Sequence, residues 1–76
     1  MQAKGPVKIK RIKTLLGFNK VAPALEDSFI QEVDFSRAGI DWRAQRVSGA
    51  TFVSCHFEAL RDELTLREQG AYVLPR

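Results

Sequence analysis

A chain of 76 residues with 45% apolar content and a formal net charge of +3 is too apolar to stay disordered. It is long enough for one domain, and a domain this small hides only about 60% of the surface its unfolded chain exposes. One cysteine rules out an internal disulfide and, with a single histidine, leaves too few soft ligands for a closed structural zinc site. The N-terminal lysines lead into no apolar signal core and no run approaches the eighteen apolar residues of a membrane span, so a soluble protein of the reducing cytoplasm is expected.

The charge is uneven. Residues 1–25 carry Lys4, Lys8, Lys10, Arg11, Lys13 and Lys20 with no acid, whereas the remainder carries six bases against nine acids. A basic leader on a mildly acidic body makes Lys8, Lys10, Arg11 and Lys13 candidate contact residues for an anionic partner. Residues 1–13 read as a basic arm or an edge strand, with Val7-Lys8-Ile9-Lys10 alternating before Arg11-Ile12-Lys13 blurs the period.

From Thr14 the pattern turns helical. Leu15, Phe18, Ala22 and Leu25 recur at spacings of three and four, Thr14 can cap the first turn, and Pro23 ends the segment, which predicts a helix near 14–22. Phe29, Val33 and Phe35 then alternate as one face of a strand near 29–35, with Glu32 and Asp34 on the wet side. Ser36–Gly39 turns the chain. Ile40–Arg46 reads as an irregular strand or a single helical turn, with Trp42 packing under the sheet and counted also as a candidate contact residue.

A dense β-branched and aromatic run, Ala50 to Phe57, predicts a central strand apolar on both faces, which calls for cover on each side. The next segment predicts a helix near 58–69. Leu60 and Leu64 form its apolar stripe with Phe57, Glu63 and Arg67 make an i, i+4 pair, and Gly70 supplies a left-handed C-cap. Ala71–Leu74 forms the last strand before Pro75, so residues 50–74 read as two parallel strands joined by a right-handed helical crossover.

Cys55 and His56 are adjacent in a strand, where alternation sends them to opposite faces, so they do not form a nucleophile pair. No carboxylates are spaced as an acid and base pair, and Gly39 and Gly49 stand alone rather than in a phosphate loop. No catalytic, cofactor-binding or metal-binding residue is assigned, and an enzyme is not expected. A rhythm of five, Phe35 to Ile40 and Val47 to Phe52 to Phe57, resembles pentapeptide-repeat proteins, which form right-handed quadrilateral β-helices. Its phase slips by two between Ile40 and Val47, and that reading predicts a coil without a helix at 58–69.

Four stretches, Thr14-Leu15-Leu16-Gly17-Phe18, Ile30-Gln31-Glu32-Val33-Asp34-Phe35, Gly49-Ala50-Thr51-Phe52-Val53-Ser54-Cys55 and Gly70-Ala71-Tyr72-Val73-Leu74-Pro75, carry a wider resemblance. Together they resemble the N-terminal region of the larger bacterial LOG (Lonely Guy) family, which are Rossmann-like nucleotide-binding proteins. In that family the third stretch is similar to Gly-Ala-Val-Phe-Leu-Gly-Cys, so Ser54 stands where glycine is usual. The family's Pro-Gly-Gly-x-Gly-Thr-x-x-Glu segment, with its catalytic arginine and glutamate, has no counterpart here. The resemblance implies a leading domain, as a fragment, a split product or a free-standing copy, with the nucleotide site elsewhere.

The expectation is a small α/β domain over residues 14–76 with a short, mostly parallel sheet (strands near 29–35, 50–57 and 71–74). Its expected role is that of a non-catalytic accessory module whose partner is a protein, either another copy or a nucleotide-binding domain. A basic nucleic-acid-binding module and a pentapeptide-type binding protein are the alternatives. No membrane or cofactor is expected.

Overall fold

The computed structural model describes residues 10–75, so the alternating segment Val7-Lys8-Ile9 falls outside the described residues. Seven elements follow in order: β1 (Arg11–Ile12), α1 (Leu15–Val21), β2 (Phe29–Gln31), a 3-10 turn (Trp42–Ala44), β3 (Thr51–Val53), α2 (Leu60–Glu68) and β4 (Tyr72–Leu74). The strands form one sheet whose spatial order is the chain order, and every neighbouring pair is parallel. The small α/β domain with a parallel sheet and two helices is therefore what the chain adopts, and residues 50–74 fold as two parallel strands bridged by a helix.

Consecutive parallel neighbours make the fold a stack of coils. Phe29 pairs with Thr51, Ile30 with Phe52 and Gln31 with Val53, and two further bridges, Ala24 to Arg46 and Asp34 to His56, keep the same offset of 22. The hydrogen bonds repeat with it. Phe29 N–H donates to the Lys10 carbonyl at 2.7 Å, Thr51 N–H to Ser28 at 2.9 Å and Tyr72 N–H to Ala50 at 2.8 Å. The backbone corners repeat as well. Asp27, Gly49 and Gly70, each two residues before a strand, have φ of 59°, 76° and 92°, while Glu32 and Ser54, each just after one, have 57° and 56°. Left-handed residues at both ends limit β2 and β3 to three residues, and β4 has one such residue before it.

These corners decide which side chains enter the core. Leu25, Ile30, Val33 and Phe35 of one coil lie in register with Val47, Phe52, Cys55 and Phe57 of the next, and all but the last two are buried. The expected shared face of Phe29, Val33 and Phe35 is corrected here, because Phe29 points outward and Ile30, at 0% exposure, replaces it. The turn at Glu32 shifts the alternation by one between them. Phe35 sits at the centre of the core, with ring centroids of Phe18, Trp42, Phe57 and Phe52 at 4.7, 5.0, 5.7 and 6.2 Å. Such pairs add about 0.5–1.5 kcal/mol each beyond the area they bury.

The connections close the coils. Thr14 Oγ1 accepts the Gly17 N–H at 2.9 Å and starts α1, whose Phe18 enters the core. Asp41 Oδ1 accepts the Arg43 N–H and starts the 3-10 turn, which settles the ambiguous Ile40–Arg46 segment as one helical turn. At the end of α2 the Ala71 and Gly70 N–H groups reach the Leu66 and Arg67 carbonyls, a Schellman motif around Gly70.

Two packing expectations are corrected. Leu60 and Leu64 do not form the buried stripe of α2, being 69% and 50% exposed, and the helix is seated by Leu66 instead. The central strand is not covered on both faces, since Thr51 and Val53 are only half-buried on the outward side. Within the expected arm or edge strand over residues 1–13, Arg11–Ile12 pairs with β2 at the edge of the sheet and buries Ile12.

Phe35→Ala is expected to cost about 3–5 kcal/mol in urea unfolding, because its cavity opens among four aromatic neighbours. Ser28 is 1% exposed with no hydrogen-bond partner for its Oγ, and the equivalent places in the following coils hold Ala50 and Ala71. Ser28→Ala is accordingly expected to stabilise the fold by about 1 kcal/mol, since it removes a buried, unpaired hydroxyl.

Candidate functional site

The reactive side chains are used to build the fold. Cys55 faces inward at the end of the stack, where its Sγ donates to the Val53 and Ile30 carbonyls at 3.5 and 3.6 Å, whereas His56 is exposed. Burial is the main influence on the thiol and pushes its pKa above the ordinary value, against smaller lowering contributions from backbone hydrogen bonds. A half-buried, neutral thiol is a poor nucleophile.

The carboxylates act as local caps. Asp34 accepts both the Ser36 hydroxyl at 2.6 Å and the Ser36 N–H at 2.9 Å, and these bonds hold its pKa below the usual carboxylate value. Asp62 accepts the Ala59 N–H at 3.3 Å at the head of α2, Glu63 lies 3.9 Å from Arg67, and Glu26 pairs with Arg46 at 3.0 Å. Among the described residues no three His, Cys, Asp or Glu side chains gather as a metal site, and no helix is long and apolar enough to cross a membrane. A cleft of about 420 Å³ lies between the 3-10 turn and the start of α2. Asp41, Arg43, Glu58, Arg61 and Asp62 line it with both signs of charge.

Two surfaces remain open. One is the outward face of the sheet, where Arg11, Phe29, Thr51 and Tyr72 stand in a row across the four strands. Gln31, Val53 and Leu74 form the next row, and Tyr72 and Leu74 are 61% and 48% exposed. The Arg11 guanidinium lies 5.7 Å from the Phe29 ring centroid. The other is the β4 side of the sheet, an edge among the described residues, where the outer Val73 carbonyl accepts Arg67 Nη2 at 3.0 Å. Clefts of about 180 and 280 Å³ meet there around Cys55 and Pro75.

Of the contact residues picked out in the sequence, Lys10, Arg11 and Lys13 are exposed and lie at or beside β1, while Lys8 falls outside the described residues. Trp42 is 4% exposed, within the aromatic core, and so cannot be a contact residue. Phe29, Tyr72 and Leu74 were not singled out, although strand alternation from Ile30 and Val73 would have found them once those two were placed inside. Comparisons with family models, curated proteins and solved structures return no match in any of the three.

Ser54 holds a left-handed conformation that suits glycine. Ser54→Gly is expected to raise stability by about 0.5–1 kcal/mol, and Ser54→Val to lower it by more than that, read by thermal unfolding. Because the folded thiol of Cys55 ionises at higher pH than the unfolded one, its contribution to stability is intact below the unfolded pKa. It is lost as pH rises through the folded value. Stability should therefore fall above about pH 8.5, and less steeply in Cys55→Ala.

Proposed function

We propose that this domain is a non-catalytic accessory module that docks, through the free end of its coil stack, onto a nucleotide-binding domain of the LOG type. The observation that carries the proposal is the uncovered β4 edge, flanked by half-exposed Leu74 and the clefts around Cys55 and Pro75. A stack of coils needs an end piece, and another domain is one way to supply it. With Cys55 in the core and Asp34 and Asp62 holding local turns, the reading gives the module binding as its work.

The backbone supports the family resemblance independently of the side chains. In the stretch that resembles Gly-Ala-Val-Phe-Leu-Gly-Cys, the two places held by glycine in the family are Gly49 and Ser54, and both have positive φ. A Cβ at Gly49 would in addition run into Asp27 Oδ1. Glycine is what such corners favour on physical grounds. The inward spacing, L-x-x-S-x-I-x-x-V-x-F from Leu25 and V-x-x-A-x-F-x-x-C-x-F from Val47, also equals that of leucine-rich repeats, which bind partners on stacked strands. The helix α2 occupies the place where the pentapeptide reading requires none.

Sedimentation of the chain mixed with a purified domain carrying the Pro-Gly-Gly-x-Gly-Thr segment is expected to show a complex, weakened at least about tenfold by Leu74→Glu, since a charge is introduced into an apolar contact. A mixture that sediments as two separate species with both partners at about 100 μM, where even a weak interface would register, overturns the proposal.

A further inference from the structure

We propose that the outward face of the sheet binds single-stranded nucleic acid, with Phe29 and Tyr72 as stacking platforms and Arg11 and Lys13 as phosphate contacts. Three observations meet on that face. Its two strand rows contain no carboxylate, since they consist of Arg11, Phe29, Thr51 and Tyr72 in one and Gln31, Val53 and Leu74 in the other. The rings of Phe29 and Tyr72 share one row, with only the small side chain of Thr51 between them. At the ordinary interstrand spacing this sets them about 9–10 Å apart.

The charge lies at one end of that row. β1 brings Arg11 to the edge of the sheet, and exposed Lys10 and Lys13 flank the strand on either side. Residues 1–13 contain Lys4, Lys8, Lys10, Arg11 and Lys13 and no acid. Five positive charges in thirteen residues with no acid among them, continuous in sequence with an aromatic sheet face, match a polyanion that also presents flat rings. Unpaired bases on a sugar–phosphate chain have both properties.

The Arg11 guanidinium, 5.7 Å from the Phe29 ring centroid, fits the same use, because it sets a charge for the backbone beside the ring on which a base would stack. A duplex suits the surface less well. Its bases are already stacked, and a sheet only three residues deep offers no helix to enter a major groove. Thr51 between the rings and Gln31 in the neighbouring row supply neutral hydrogen-bonding groups without demanding one base, so the expected binding has little sequence preference.

This inference does not depend on docking at the β4 edge. That proposal is read by sedimentation with a protein, and this one by fluorescence anisotropy of a labelled fifteen-nucleotide oligothymidine titrated with the full chain, a probe length of about one small-domain site. Binding is expected at low salt, with the logarithm of affinity falling linearly against the logarithm of salt by about 0.7 for each phosphate contact. Tyr72→Ala is expected to weaken it about tenfold or more at fixed salt, and Arg11→Ala to reduce the salt slope by about one contact. The Tyr72 ring is 61% exposed, so its removal leaves the core intact, which circular dichroism checks.

Equal affinity for a duplex of the same length, or an affinity unchanged by Tyr72→Ala, would show that the basic leader alone attracts the probe and would overturn the proposal. So would the absence of binding to oligothymidine alongside capture by anionic lipid vesicles or by an acidic peptide.

Discussion

The packing of Phe35 against its aromatic neighbours is what the rest of the domain depends on. Each coil sends rings inward from a different corner, Phe18 from the first helix, Phe35 after β2, Trp42 from the 3-10 turn, and Phe52 and Phe57 from the next coil. Edge-to-face contacts at 4.7–5.6 Å fix orientation as well as distance, so the rings hold successive coils at one angle. A chain of 76 residues has little area with which to fold. Concentrating five large rings in one cluster gives a chain with a single cysteine a dense core without an internal disulfide.

The helices and turns answer to that cluster. A coil of 22 residues exceeds four five-residue steps by two, and the slip between Ile40 and Val47 falls where the 3-10 turn brings Trp42 into the core. The rhythm Leu25, Ile30, Phe35 and then Trp42, Val47, Phe52, Phe57 is thus a property of the corners of the coil. The register then carries function outward. When Ile30, Phe52 and Val73 point inward, Phe29, Thr51 and Tyr72 have no choice but the opposite face.

Much of this was legible in the sequence, and what was not has a definite cause. Thr14, Pro23 and Gly70 mark helix ends through a side-chain cap, a missing N–H and a left-handed corner, so those boundaries, and the strand–helix–strand unit over residues 50–74, could be read directly. The phase of β2 could not, because the corner after it is held by Glu32, a residue with no preference for a left-handed backbone that a pattern would register. The same concealment at Ser54 made β3 look like one long strand. Leu60 and Leu64 misled for another reason: apolar residues four apart define a helix face, but Leu66, seated over the last coil, decided which face turned inward. The open surfaces were illegible at the level of single residues, since an outward aromatic and an inward one look alike until the corners are known.

The brevity of β4 has a bearing on what this molecule does in a crowded solution. An exposed parallel edge invites other chains to add to it, and a long one would propagate such additions into fibres. Here the edge spans Tyr72 to Leu74, is cut off by a left-handed Gly70 on one side and Pro75 on the other, and has one of its carbonyls occupied by the Arg67 guanidinium. The stack thus presents a surface that a shaped partner can recognise but that an indiscriminate strand cannot easily extend.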